Sequence, residues 1–208
     1  MNTLDYIILR FNIGGKFTAK RPIAIADFDR AGMAELFHEL EFKEGAEVGV
    51  ERGLYSEILC KANPGLKLHC IDVWKSYRGY MDFVKSMESN YQEAKKRLEP
   101  YDCNLIRKYS MDAVKDFKDE SLDFVYIDGN HDLQNVINDL TEWSKKLKKG
   151  GIMCGDDYRI HTKPSRMHVV EAVTTFTHVH EIKPWFVLGA RAKDDRARDN
   201  NRNFMWVK

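Results

Sequence analysis

The tightest constraint on this chain is the stretch Ala46-Glu47-Val48-Gly49-Val50-Glu51-Arg52-Gly53-Leu54-Tyr55-Ser56. A short apolar strand runs into two glycines, and a helical pattern opens behind them. Glycine lets the backbone approach a ligand where a side chain would collide. The first N–H groups of the following helix lack intrahelical partners and face the same space. An α/β sheet presents a nucleotide-like ligand in this way at the carboxyl end of its first strand. The spacing is Gly-x-x-x-Gly, not the Gly-x-Gly-x-x-Gly of a dinucleotide site. Taken alone, the pattern is also that of a tight turn. The next apolar run, Leu66-Lys67-Leu68-His69-Cys70-Ile71-Asp72, adds weight. It ends in a carboxylate about twenty residues past the glycines, where such folds keep an acceptor for ribose hydroxyls.

The remaining chain reads as alternating helices and strands. Residues 1–27 form an N-terminal extension with an apolar patch, Tyr6-Ile7-Ile8-Leu9, and the pair Gly14-Gly15. It is expected to cover a pocket, to mediate dimer contacts or to strap the sheet edge. Residues 28–208 are one domain. Met33, Leu36, Phe37 and Leu40 share one helical face, and Asn63-Pro64-Gly65 stops the helix that follows the glycines. An amphipathic helix is expected from 80 to 98, with Met81, Val84, Met87, Tyr91, Ala94 and Leu98 on its buried stripe. Strands are expected at 103–107 and 122–128, and a helix over 132–148 that Gly150-Gly151 terminates. Further strands fall at 152–158, 181–188 and 204–207, with a helix near 167–178. The segments 159–166 and 191–202 are charged loops. The 208 residues suffice for one full core.

Net charge is +1, from 33 basic and 32 acidic residues, which does not favour a nucleic-acid or membrane-surface partner. The four cysteines form no C-x-x-C pair and read as buried reduced thiols. No apolar run reaches the length of a membrane span and no secretion signal is evident, so a cytoplasmic location is the expectation.

Chemistry gathers at the strand ends. Asp128 closes one strand and Asp156-Asp157 the next. If those strands are neighbours, their backbones lie about 4.8 Å apart. Three carboxylates would then converge and repel, and a divalent cation would remove the conflict. Oxygen ligands suit Mg²⁺, Ca²⁺ or Mn²⁺ rather than zinc. Adjacent strand residues point to opposite faces, so either Asp156 or Asp157 is the ligand and the other does capping or supporting work. A set of loop caps with no ion is the competing reading.

Several motifs occur in family order: Glu47-x-Gly49-x-x-x-Gly53-x-x-Ser56, Ile71-Asp72-x-Trp74, Ile127-Asp128-Gly129-x-His131, Trp143, Gly150-Gly151 and Gly155-Asp156-Asp157-Tyr158. Over about residues 44–190 the chain resembles the class I S-adenosylmethionine-dependent methyltransferases. Within them it looks most like the small-molecule O-methyltransferases typified by the macrocin and mycinamicin sugar enzymes. The resemblance implies an α/β, Rossmann-like, doubly wound sheet of seven strands, mostly parallel with the last antiparallel. It implies that Glu47, Gly49 and Gly53 form the first cofactor loop, with Ser56 near the methionine carboxylate. Asp72 would hold the ribose hydroxyls with Trp74 beside it, and Ser110 with Met111 or Asp112 would border the adenine. Asp128, Asp156 and Asp157 match the ligands of a Mg²⁺ ion, and His131 matches a proposed base. An orienting role for His131 toward Asp128 is the competing reading. Tyr158, Arg159 and His161 are candidates to line the acceptor pocket. The implied partner is a small hydroxyl-bearing molecule, with neither nucleic acid nor membrane, and a homo-oligomer is compatible with this. The competing functions are a nicotinamide dehydrogenase, a nucleic-acid methyltransferase and a non-catalytic cofactor-binding domain.

Overall fold

The computed structural model describes residues 1–75, 86–159, 167–189 and 202–208. Its core is one eight-stranded sheet: β1 (Ile23–Ile25), β2 (Glu44–Val48), β3 (Lys67–Asp72), β4 (Cys103–Arg107), β5 (Leu122–Ile127), β6 (Leu147–Gly155), β7 (Phe186–Leu188) and β8 (Asn203–Val207). The order across the sheet is β1-β7-β8-β6-β5-β2-β3-β4, and only β8 runs antiparallel to its neighbours. The expected α/β sheet with an antiparallel last strand is present, but with eight strands rather than seven. The additional strand is β1, which pairs parallel with β7. Three residues are too few to show a strand period, and the pairing partner lies some 160 residues downstream.

Two layers of helix cover the sheet because its central strands are apolar on both faces. In β5, Phe124 and Tyr126 face one core while Val125 and Ile127 face the other. The first core receives α1 (Thr3–Arg10), α2 (Arg30–Glu39), α3 (Leu54–Ala62) and α4 (Met87–Leu98). The second receives α5 (Ser110–Ala113), α6 (Leu133–Lys146) and α7 (Val169–Val179). Residues 1–27 join the same body. Ile7 is fully buried, Arg10 binds Glu39 of α2 at 2.5 and 2.8 Å, and Trp185 Nε1 donates to the Ala19 carbonyl at 3.0 Å.

Several boundaries differ from the sequence-based expectation. α6 ends at Lys146, and the next residue already belongs to β6. Gly150-Gly151 therefore does not cap a helix. It lies inside β6, where the register against β5 shifts and a Cβ on Gly151 would come within 2.8 Å of the Asp123 carbonyl oxygen. The lysine run pairs outward with acids, Lys145 to Glu142, Lys146 to Asp119 and Lys148 to Asp123. β7 covers only the last three residues of the expected 181–188 strand. The first part of the expected 80–98 helix, with Met81 and Val84, lies outside the described residues, as do nearly all of the two charged loops. Among the described residues no helix is long and apolar enough to cross a membrane.

Candidate active site

A cleft of about 710 Å³ opens at the carboxyl ends of β2, β3 and β5. The glycine loop forms its floor. Gly49 has φ +94°, and a Cβ there would lie 2.0 Å from the Asp128 carbonyl oxygen. Its N–H donates to the Ile71 carbonyl, and the Asp128 N–H donates to the Val48 carbonyl, so the ends of three strands are laced together. Gly53, at φ +72°, precedes the first turn of α3. Asp72 holds this loop in shape. One of its oxygens accepts the Val50 and Glu51 N–H groups at 3.1 and 3.0 Å, and the other accepts the Trp74 N–H at 2.8 Å. Trp74 is buried, its indole N–H on the Glu51 carbonyl at 2.7 Å and its ring against Tyr91.

Of the residues singled out by sequence, Glu47, Gly49, Asp72, Trp74, Ser110, Met111, Asp128 and His131 line the cleft. The other described candidates do not line it. Ser56 is fully buried, and its hydroxyl donates to Glu47 beneath the cleft. Asp112 points outward and pairs with Lys115. Tyr158 turns its hydroxyl to Thr174 and its ring edge to Trp185, and Arg159 is exposed outside the cleft. His161 lies outside the described residues.

The strand-end acids separate into two groups. Asp128, His131 and Asp157 bring one ligand atom each within 4.8 Å of one another. His131 Nε2 lies 3.1 Å from Asp157 Oδ2 and 3.5 Å from Asp128 Oδ1, yet this buried nitrogen has ion-pair contacts only and no hydrogen-bond partner. Asp156 is not part of that trio, contrary to the three-aspartate ligand set. It is turned to Arg30, at 3.4 Å, and to the Asp157 N–H, at 2.8 Å. Asp157 has φ +56°, a left-handed turn that aspartate tolerates better than most residues. The chain leaves the sheet there, so the two aspartates part. Two carboxylates and an orphaned imidazole nitrogen fit a divalent cation. The nitrogen shifts the set from pure Mg²⁺ chemistry toward ions such as Mn²⁺.

Burial dominates the electrostatics. It raises Glu47 to about 8, with the Ser56 hydrogen bond opposing and Asp128 adding to the rise. It raises Asp156 to about 7, and Asp128 moves the same way. Burial opposes charge on His131, but Asp128 and the other carboxylates outweigh it and lift its pKa. Acids raised in the folded state bind more protons there than in the unfolded chain. For Glu47 this makes stability fall as pH rises from its ordinary value of 4.5 through about 8. At about 1.4 kcal/mol per unit, the loss is on the order of a few kcal/mol. Glu47→Gln is expected to flatten the fall in thermal midpoint between pH 5 and 8. An unchanged slope would assign that fall to other groups.

Arg30 and Asp139 are among the cleft residues that went unread in the sequence. Arg30, at the start of α2, lines the cleft and stacks over Tyr55; nothing local marks it. Asp139 lines the cleft and accepts from the Ser110 hydroxyl, which itself accepts the Trp143 indole N–H at 2.8 Å. A legible signal existed: Asp139 is a carboxylate set inside the apolar stripe Val136, Leu140 and Trp143. Burial raises its pKa to about 7.

A family model described as a methyltransferase domain matches residues 46–158, more than half of the chain. Solved structures share the fold at low identity. An O-methyltransferase from Bacillus cereus in complex with SAH superposes with a TM-score of 0.61 at 16% identity, over 99% of this chain and 90% of that one. The O-methyltransferase TomG from Streptomyces achromogenes, in complex with SAM, gives 0.58 at 15% identity, over 85% and 79%. An rRNA methylase from Streptococcus thermophilus gives 0.59 at 11% identity, over 86% and 96%. Protein R132 of Acanthamoeba polyphaga mimivirus is 27% identical over 109 residues, and the chain spans about half the length (49%) of that curated relative.

Proposed function

The chain belongs to the methyltransferase domain family, and from that membership we propose that it transfers a methyl group from S-adenosylmethionine to a hydroxyl of a small molecule with the help of a divalent cation. The observation that carries this reading is the placement of the Asp128–His131–Asp157 trio beside the glycine-floored cleft, into which Asp128 and His131 open. The cofactor supplies a methyl already activated by its sulfonium, so the protein's task is alignment and activation of the oxygen. The Gly49 loop admits the cofactor's close approach, and the half-buried acids favour its positive groups. The SAH and SAM bound by the Bacillus and Streptomyces neighbours support this assignment.

Asp128, His131 and Asp157 would hold the ion, Mg²⁺ or Mn²⁺. Such an ion lowers the pKa of a bound hydroxyl. Without it, His131 at the cleft edge would be the base, worth typically about 10²–10⁴-fold. Asp72 and Trp74 shape the cofactor loop, and Ser110 and Met111 border the same cleft. The Ile127-Asp128-Gly129-x-His131 and Gly155-Asp156-Asp157-Tyr158 motifs support the macrocin- and mycinamicin-type branch, which makes sugar hydroxyls the first acceptors to try.

Calorimetric titration with S-adenosylmethionine is expected to show one site, while NAD⁺ gives no heat. Labelled methyl should then pass to a member of a panel of sugars and catechols. No heat with S-adenosylmethionine would sink the proposal. Transfer to RNA alone, with steeply salt-dependent binding, would move it to the class of the rRNA methylase neighbour.

A further inference from the structure

Three of the four cysteines, scattered in sequence, meet on one face of the sheet. β3 and β4 pair with Leu68 opposite Cys103 and Cys70 opposite Leu105. Side chains two apart share a face of a strand, so Cys70 and Cys103 are diagonal neighbours. α3 packs on that face and delivers Cys60, whose Sγ lies 3.4 Å from the Sγ of Cys103 across 43 residues of chain. All are free thiols, and of the three only Cys103 is partly exposed. Cys154 sits apart from them on β6, its sulfur on the Val125 carbonyl at 3.3 Å.

We propose that Cys60 and Cys103 are a reversible oxidation site, a thiol pair that hydrogen peroxide converts to a disulfide. The two sulfurs need to close by roughly 1.4 Å to reach bonding distance. Cys103 is the attacking sulfur because it is the one that solvent reaches. The contact with Cys60 lowers the Cys103 pKa and the neighbouring Cys70 adds to this, against burial and Asp102, while the same contact raises Cys60. The Cys103 thiolate attacks a peroxide oxygen, the O–O bond breaks, and the departing hydroxide takes up a proton to leave as water. The resulting sulfenic acid is then attacked by Cys60. The S–S bond forms, the S–O bond breaks, and hydroxide leaves with the Cys60 proton as a second water. Two thiols are oxidised and one peroxide is reduced.

The test treats the folded full chain with hydrogen peroxide, alkylates the remaining thiols and maps peptides by mass spectrometry. The expected result is loss of two of four thiols, a linked Cys60–Cys103 peptide, and full recovery in dithiothreitol. Cys103→Ser should keep its three thiols at the same dose. Cys60→Ser should leave Cys103 as a sulfenic acid that a 1,3-dione traps, and Cys70→Ser should still form the link. The wild-type map decides the matter even where a variant fails to fold. A dominant Cys70–Cys103 link, retention of all four thiols, or a link that forms only in urea would each overturn the proposal.

Discussion

Gly49→Val is expected to abolish measurable binding of S-adenosylmethionine, a loss of at least about 100-fold, and to lower the stability of the fold by several kcal/mol. Two effects combine. A side chain at φ +94° costs on the order of 1–2 kcal/mol in backbone strain. The Cβ would also overlap the Asp128 carbonyl oxygen, at 2.0 Å, and the Gly129 nitrogen, at 2.7 Å. Neither atom can yield easily, because the Asp128 N–H is bonded to Val48 in the adjoining strand. Relief would have to come from β5 and β2 moving apart at the floor of the cleft. Gly14→Val is the control, since a Cβ at Gly14 meets nothing within 4 Å. Circular dichroism below the lowered thermal midpoint separates a folded, non-binding variant from an unfolded one. Binding by Gly49→Val within threefold of the parent would remove the loop from the cofactor site.

His131→Ala and Asp157→Asn are each expected to reduce methyl transfer by at least about 100-fold, with cofactor affinity within about threefold of the parent. The reason is geometric. Both residues belong to the trio at the edge of the cleft, whereas Asp72 braces the glycine loop at its floor. Chelator should suppress turnover of the parent, and Mn²⁺ or Mg²⁺ should restore it. The two roles open to His131 give different results. As a ligand, its loss raises the ion concentration needed for half-maximal activity. As a base, its loss leaves that concentration unchanged and removes the acidic limb of the pH–rate profile. Parental turnover in chelator, together with an active Asp157→Asn, would eliminate the ion from the reaction.

Much of the site was legible because its signals are local. The strands announce themselves by apolar runs, and an acid at the end of such a run must sit at a sheet edge. That logic puts Asp72, Asp128 and the 156–157 pair at strand ends, whereas Glu47 was marked only by the family resemblance. It fails where a residue's surroundings come from a distant segment. Ser56 reads as a helix-start hydroxyl aimed at a ligand, yet the packing of α3 on β2 turns it inward to Glu47. Tyr158 and Arg159 follow the acids in sequence, but the chain turns at Asp157 and carries them out of the cleft. Asp139 is marked locally only by its place in the apolar stripe of α6, and its role is set by Ser110 and the cleft, which come from other elements.

The amino-acid sequence by itself determined the alternation of strands and helices, the glycine loop and the presence of acids at strand ends. These depend on residue periods of two and 3.6 and on backbone sterics, which act over a few residues. Only the tertiary structure decided that Asp157 joins Asp128 and His131 while Asp156 turns to Arg30, that an eighth strand completes the sheet, and that Cys60 lies against Cys103. Each of those outcomes depends on which elements pack side by side, and packing is set by the burial of whole faces rather than by any short stretch of chain.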